Sequence, residues 1–227
     1  MTSAEFESAY WTHYIMLEKE FMSTAAYVKI DADNYLTFSD AYAKLLLQIG
    51  SEIDVVAKET CKLINPSFNG NEMKDYRAVL SVDTDFCNTR IQLINYGIIL
   101  DPWKDLETTI TTTPNALPAI IWWKAYNKVK HERMNTVTID GDTKESYKFA
   151  NLKNVLNALG ALYHLLLHSF YLILKSEGKA VEAPLPGSRL YKMAGTVWNN
   201  VTFSFDTSFS IDNNTGCLML KTSTIPY

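Results

Sequence analysis

Residues 146–176 read SYKFANLKNVLNALGALYHLLLHSFYLILKS, and the interpretation of this stretch decides the fold. Phe149, Leu152, Leu156, Leu159, Tyr163, Leu166, Phe170 and Leu174 recur at three- and four-residue steps, which is the period of one broad helix face. Val155 to Leu174 is long enough to cross a bilayer, for which roughly 20 apolar residues suffice. Asn157, His164, His168 and Ser169 interrupt it on one face. The expectation is therefore a helix forming the main wall of a core, with no membrane association. His164 and His168 stand at i, i+4 and share a helix face, a spacing that can serve a metal. No glutamate of an HExxH pattern lies between them and no third ligand is identifiable, so they are read as histidines of a polar or interfacial face, and no metal site is assigned.

Two further helices precede this wall. Phe6, Tyr10, His13 or Tyr14, Leu17 and Phe21 mark an amphipathic helix. After a polar break at Ala32–Tyr35, Thr37 followed by Asp40 resembles a capping box, and the helix it opens runs to about Ile64. Its apolar face collects Tyr42, Leu45, Leu46, Ile49, Ile53, Val56 and Leu63. Glu52 lies on the same face, one step from Ile49 and Val56, whereas Asp54 points the other way. A carboxylate aimed at a core needs a partner, because an unpaired buried charge is expensive. Glu52 is thus a candidate site residue, its plain alternative being a structural bond to a neighbouring helix.

Asn65-Pro66 and Asn69-Gly70 carry turn chemistry, and a short helix is expected at about Asn71–Leu80. Arg90 to Leu100 lacks a helical period and reads as short extended pieces. IDGDT, 139–143, is a turn without the spaced oxygens of a calcium loop. Beyond a Pro/Gly-rich joint at Glu182–Ser188, Val201, Phe203 and Phe205 alternate as in a strand, and Asp212–Gly216 is a turn before Cys217–Leu220. The expected fold is mainly α: an antiparallel helical bundle over residues 1–180, with a small β-hairpin or meander over 181–227 packed on it.

A hydrophobic content of 47% is enough for a folded core. The net charge of −4 excludes a generally basic nucleic-acid coating protein, so any such contact must be local. Cys61, Cys87 and Cys217 are odd in number and widely spaced, as expected of reduced thiols in a cytoplasmic protein. MTSAEFESAY shows no signal-peptide pattern.

The chemistry concentrates in residues 118–133, PAIIWWKAYNKVKHER. Pro118 suits the first turn of a helix. At about 100° per residue, Ile120, Lys124, Asn127 and His131 share one narrow face, opposite Trp122, Tyr126, Val129 and Arg133. Trp123 and Lys130 fill a flank, and Lys128 adds a further cation. Aromatic rings beside cations suit a phosphate or a base better than an aliphatic ligand. The plainer reading is that the tryptophans anchor the core, the lysines snorkel and His131 caps a helix end.

There is no Gly-rich phosphate loop, no G-x-S-x-G elbow and no cysteine with an evident histidine partner, which excludes nucleotide-hydrolysing motors and hydrolase folds. The arrangement LLLQIGSEIDVVAK, then WWKAYNKVKHER, then FANLKNVLNALGALYHLLL resembles the HEPN superfamily of helical nucleotide-binding domains, among uncharacterised bacterial proteins with HEPN-like helices. The resemblance spans about Ser39 to Leu174 and centres on YNKVKH. HEPN nucleases carry an arginine, often followed by asparagine, and then a histidine. Asn127 and His131 match the latter two. Tyr126 and Lys124 stand where the arginine would be, and Arg133 lies beyond the histidine.

The likeness implies metal-independent RNA cleavage without a cofactor, in which a 2′-hydroxyl attacks its adjacent phosphate. His131 would be general acid or base, Asn127 would orient the phosphate or imidazole, and Lys124 would supply charge. Glu52 would pair with Lys124, His131 or Arg133 and set the histidine's pKa. Lys128, Lys130, Arg133, Trp123 and Tyr126 would hold the nucleic acid. The likeness also implies a homodimer, with both motifs lining one cleft, and a place in bacterial defence or toxin–antitoxin biology. The competing readings are a non-catalytic module that binds nucleotide, RNA or a protein partner, which the absent arginine favours, and a structural helical protein with no ligand.

Overall fold

The computed structural model describes residues 1–106 and 119–194 and the backbone of 208–211 and 218–221. Thr2 and Glu5 exchange side-chain and backbone hydrogen bonds in a capping box that satisfies two orphan N–H groups. Helix α1 (Ser3–Phe6) passes through a π-helical turn, Glu7–Trp11, into α2 (Thr12–Thr24). The wider turn shifts the inward face by one residue, so Trp11 is buried while Tyr10 is only partly covered. Of the two inward candidates that follow, Tyr14 faces the core and His13 does not.

Helix α3 (Asp40–Ile64) is capped two residues beyond the expected Thr37. Ser39 is its cap, accepting from the Tyr42 N–H at 3.1 Å, while the Thr37 carbonyl accepts from Leu152. Its apolar face is buried from Tyr42 to Val56, and only Leu63 is partly covered. Helix α4 (Met73–Leu80) starts where the Asp75 carboxylate gathers the N–H groups of Asn71 and Glu72. A single helical turn, α5 (Thr84–Asn88), capped by Asp83, lies between the expected short helix and the expected extended pieces. Strands β1 (Arg90–Leu93) and β2 (Ile99–Leu100) pair antiparallel.

Helix α6 (Ile121–His131) follows, and Pro118, its expected opener, lies outside the described residues. The DGD turn joins β3 (Thr136–Ile139) to β4 (Asp142–Glu145), with positive φ at Asp140 and Gly141, the signature of a tight two-residue hairpin. The long helix, α7 (Leu152–Ser176), starts later than expected, because Ser146–Phe149 is a 3-10 turn and Asn151 caps the helix by accepting from Asn154. The first two N–H groups of α7 donate to Thr37 and Tyr35 across the molecule, so its start is locked to the loop before α3.

Helix α7 packs chiefly on α3, with α1, α2, α6 and the β1 sheet around the rest. It is long and apolar enough to cross a membrane by length and composition, and 83% of that apolar window is buried inside the fold. Burial corrects the expectation of a polar face for its histidines. His164 and His168 are core residues, set against the Phe86 ring at 4.6 and 4.9 Å. Four buried aromatic donors reach carbonyls: Trp11 to Pro186, Trp103 to Ala161, Trp122 to Pro102 and Tyr191 to Leu156.

Strand β5 (Tyr191–Ala194) pairs with β1 to give a sheet of order β2-β1-β5. Leu190 and Tyr191 are buried, and the Glu18 carboxylate accepts from the Arg189 N–H, the Tyr14 hydroxyl and the Ser188 hydroxyl. The segment up to Ala194, expected to belong to a C-terminal appendage, is thereby part of the helical body. Strands β6 (Ser208–Ile211) and β7 (Leu218–Lys221) form an antiparallel hairpin, and the expected strand through Val201, Phe203 and Phe205 lies outside the described residues.

Candidate functional site: a groove between α4 and α6

Trp122, Ala125, Tyr126 and Val129 turn α6 inward. Trp122 donates to Pro102 and meets Trp103 edge-on at 5.3 Å. The Tyr126 ring lies against the α3 backbone at Gly50, so close that a Cβ there would stand 2.3 Å from the ring. That contact explains a glycine in the middle of a long helix, where it otherwise weakens the structure. Tyr126 was expected to touch nucleic acid. It is largely buried yet lines a hollow beside Trp123, and it supports the partly covered ring of Trp123 at 4.9 Å while its hydroxyl accepts from Lys130 at 3.1 Å.

Two hollows flank Trp123 and Asn127, which line both. One, of about 400 Å³, is bounded by Asp54, Asn71, Glu72 and Lys130. The other, of about 350 Å³, is bounded by Lys74, Arg77, Lys124, Lys128 and Ile120. Several cations are already engaged: Lys124 donates to the Thr138 carbonyl, Lys128 pairs with Glu132, Lys74 pairs with Glu72, and Arg77 donates to the Asp105 carbonyl. These contacts hold the side chains around the groove, and the exposed lysine pairs are weak enough to be exchanged for a phosphate.

Lys124 and Asn127 therefore come together. The Asn127 amide donates to the Trp123 carbonyl at 3.2 Å. His131, on the same helix face, lies at the exposed end of α6, lines neither hollow and makes no hydrogen bond among the described residues. Arg133 is exposed beyond the helix end and lines a separate hollow with Phe38 and Tyr147.

Glu52 does not belong to this cluster, which corrects its expected pairing with Lys124, His131 or Arg133. It faces α2, where His13 Nε2 stands 3.9 Å away, and burial raises its carboxyl above the usual range, with His13 only partly opposing. The carboxylate beside α6 is Asp54, two residues further on and about 200° around the α3 axis. Tyr76 of α4 donates to it at 3.0 Å. The sequence reading also passed over Asn71, Lys74 and Arg77. The available signal was that Lys74 and Arg77 stand at i, i+3 on a short helix, which puts both on one face.

Among the described residues no group of three or more His, Cys, Asp or Glu is placed to hold a metal ion. The groove joins one aromatic ring, several lysines and amide and carboxylate edges, a combination that can hold a flat polar ring together with an anion. No family model matches the chain, and neither a curated protein nor a solved structure does.

Proposed function

We propose that this protein is a HEPN-like helical module that binds single-stranded RNA in the groove between α4 and α6. Bases stack on Trp123, and Lys74, Lys124 and Lys128 meet the backbone phosphates. The observation that carries this reading is the partly exposed Trp123 ring between two hollows rimmed by lysines. Stacking on an aromatic ring contributes about 1–3 kcal/mol per base, and lysine contacts make binding fall with salt. The chain as a whole carries a net charge of −4, so attraction to RNA has to come from a local cluster of cations such as this one.

The test is fluorescence anisotropy with a labelled single-stranded RNA of mixed sequence at low and moderate salt. Wild type binds, salt weakens it, and Trp123→Ala loses most of the affinity while its melting temperature stays close to wild type. No binding at low salt, or equal binding by the variant, removes the reading.

RNA cleavage is a second reading, favoured by one observation: Lys124, Asn127 and the exposed His131 share one face of α6. In that case the 2′-hydroxyl attacks the adjacent phosphate as the P–O5′ bond breaks, His131 passes the proton taken from the 2′-hydroxyl to the departing 5′-oxygen, and Lys124 stabilises the developing charge. A second copy of the chain would bring an opposing motif. Cleavage in EDTA that leaves 2′,3′-cyclic ends and is lost in His131→Ala supports this reading. Binding without such cleavage leaves the module non-catalytic.

A further inference from the structure

The hollow on the Asp54 side of Trp123 has a chemistry its neighbour lacks. Asp54 Oδ1 accepts the Tyr76 hydroxyl at 3.0 Å, whereas Oδ2 makes no hydrogen bond among the described residues, and no cation pairs with the group there. Tyr76 is itself buried, so the carboxylate is held by a fixed donor on one oxygen while the other stays available to the hollow. A carboxylate accepts on both oxygens, at about four lone-pair sites, so Oδ1 retains capacity as well. Asn127 and Asn71 border the same space with amide groups.

A base lying against Trp123 turns its edge toward these walls. Guanine alone among the four RNA bases carries two adjacent donors on its Watson–Crick edge, N1–H and the 2-amino group, and these match the two oxygens of one carboxylate. Adenine and cytosine set a single amino group beside a ring-nitrogen acceptor, which a carboxylate repels. Uracil flanks its one N–H with two carbonyls, which it repels as well. We propose that the hollow bounded by Asp54, Trp123 and Asn127 is a guanine site: the base stacks on Trp123, Asp54 accepts from N1–H and the 2-amino group, and the attached phosphate reaches the lysines around Trp123, of which Lys74 lines both hollows. The proposal rests on the reading of the groove as an RNA-binding surface and adds base selectivity to it.

The test uses the full chain and short oligouridine RNAs that differ only at one central nucleotide, which is guanosine, inosine, adenosine or cytidine. The guanosine RNA binds about tenfold tighter than the adenosine or cytidine RNAs, as a good bidentate contact provides. Inosine, which keeps N1–H and lacks the 2-amino group, falls between. Asp54→Asn still accepts the Tyr76 hydroxyl and brings guanosine down to the adenosine level. The inosine comparison needs no variant, so it stands even where Asp54→Asn fails to fold. Equal binding of all four RNAs, with loss in Trp123→Ala, overturns the guanine site and leaves the RNA-binding reading in place. Guanosine preference that survives in folded Asp54→Asn also overturns the site. Absence of binding to every RNA overturns both.

Discussion

Gly50 on α3 and Tyr126 on α6 are in direct contact, with the Tyr126 ring occupying the space a Cβ at residue 50 would need, 2.3 Å from Cδ2. Two effects of opposite sign follow for Gly50→Ala. Helix propensity favours alanine by about 1 kcal/mol. Displacing a buried ring that also supports Trp123 costs about 2–3 kcal/mol, the upper part of the overpacking range, because the contact involves the ring's inner atoms rather than a flexible tip. The clash wins: chemical denaturation of Gly50→Ala gives a net loss of about 1–2 kcal/mol. Gly50→Ala with Tyr126→Leu loses less than the sum of the two single changes. A neutral or stabilising Gly50→Ala would show that α6 is not seated on α3 in this way.

The Glu18 carboxylate joins α2 to the chain entering β5, and three donors converge on it without a cation among the described residues. Hydrogen bonds to a charged group contribute about 1.5–3 kcal/mol each, and stranded donors add to the loss. Glu18→Gln puts an amide where only acceptors fit, so it destabilises the protein by about 2 kcal/mol. The loosening is local: amide hydrogen exchange rises first at Tyr191–Met193, the strand paired with β1, and only later along α7. Uniform change across the protein would argue against a local latch.

His164 and His168 impose a pH dependence whose sign is set by burial. Desolvation holds His168 down at about 4 and His164 well below its ordinary value, with the neighbouring Asp83 only partly opposing at His168. In the unfolded chain both titrate near their ordinary value of 6.5, so between 4 and 6.5 the unfolded state binds more protons. Stability is complete above that window and falls as pH drops through it, by up to about 1.4 kcal/mol per pH unit for each histidine. Glu52, whose carboxyl is raised by burial, acts in the opposite sense. Urea midpoints at about pH 7 and about pH 5 give the slope, and His168→Leu should flatten it. A wild-type midpoint that does not move with pH would contradict the burial of these rings.

Period and cap chemistry made the helices legible. The apolar steps of α3 read correctly because it buries one continuous stripe, those of α7 marked a helix but not that it is buried on every side from Ala158 to Phe170, and Asp140-Gly141 marked a turn because few residues accept positive φ. The π-turn that swaps Tyr10 for Trp11 breaks the very period used to read it. Helix α5 is too short to show a period at all. For the site, the inward and outward sides of α6 were visible in its own spacing, but its opposite wall was not. Which carboxylate of α3 meets α6 depends on how the helices rotate against each other, so Glu52 and Asp54 could not be ranked from one helix alone. That the histidines of α7 face Phe86 depends likewise on where α5 lands.

If the groove holds RNA as proposed, Lys128 and Glu132 give it an internal competitor for phosphate. Their i, i+4 pair lies at the end of α6, and the hydrogen bond from Lys128 lowers the Glu132 carboxyl below its usual range. RNA that takes Lys128 must displace that carboxylate, so Glu132→Gln should raise RNA affinity by about threefold at low salt, a gain of the size expected of an exposed ion pair. The gain is electrostatic and shrinks as salt rises. Lys124→Ala works the other way: it removes one cation, weakens binding, and reduces the slope of log affinity against log salt by about 0.7, the value for one phosphate of a single strand. Lys19→Ala, on the outer face of α2, should leave that slope unchanged. If Lys124→Ala and Lys19→Ala alter the slope equally, the phosphates are not held between α4 and α6.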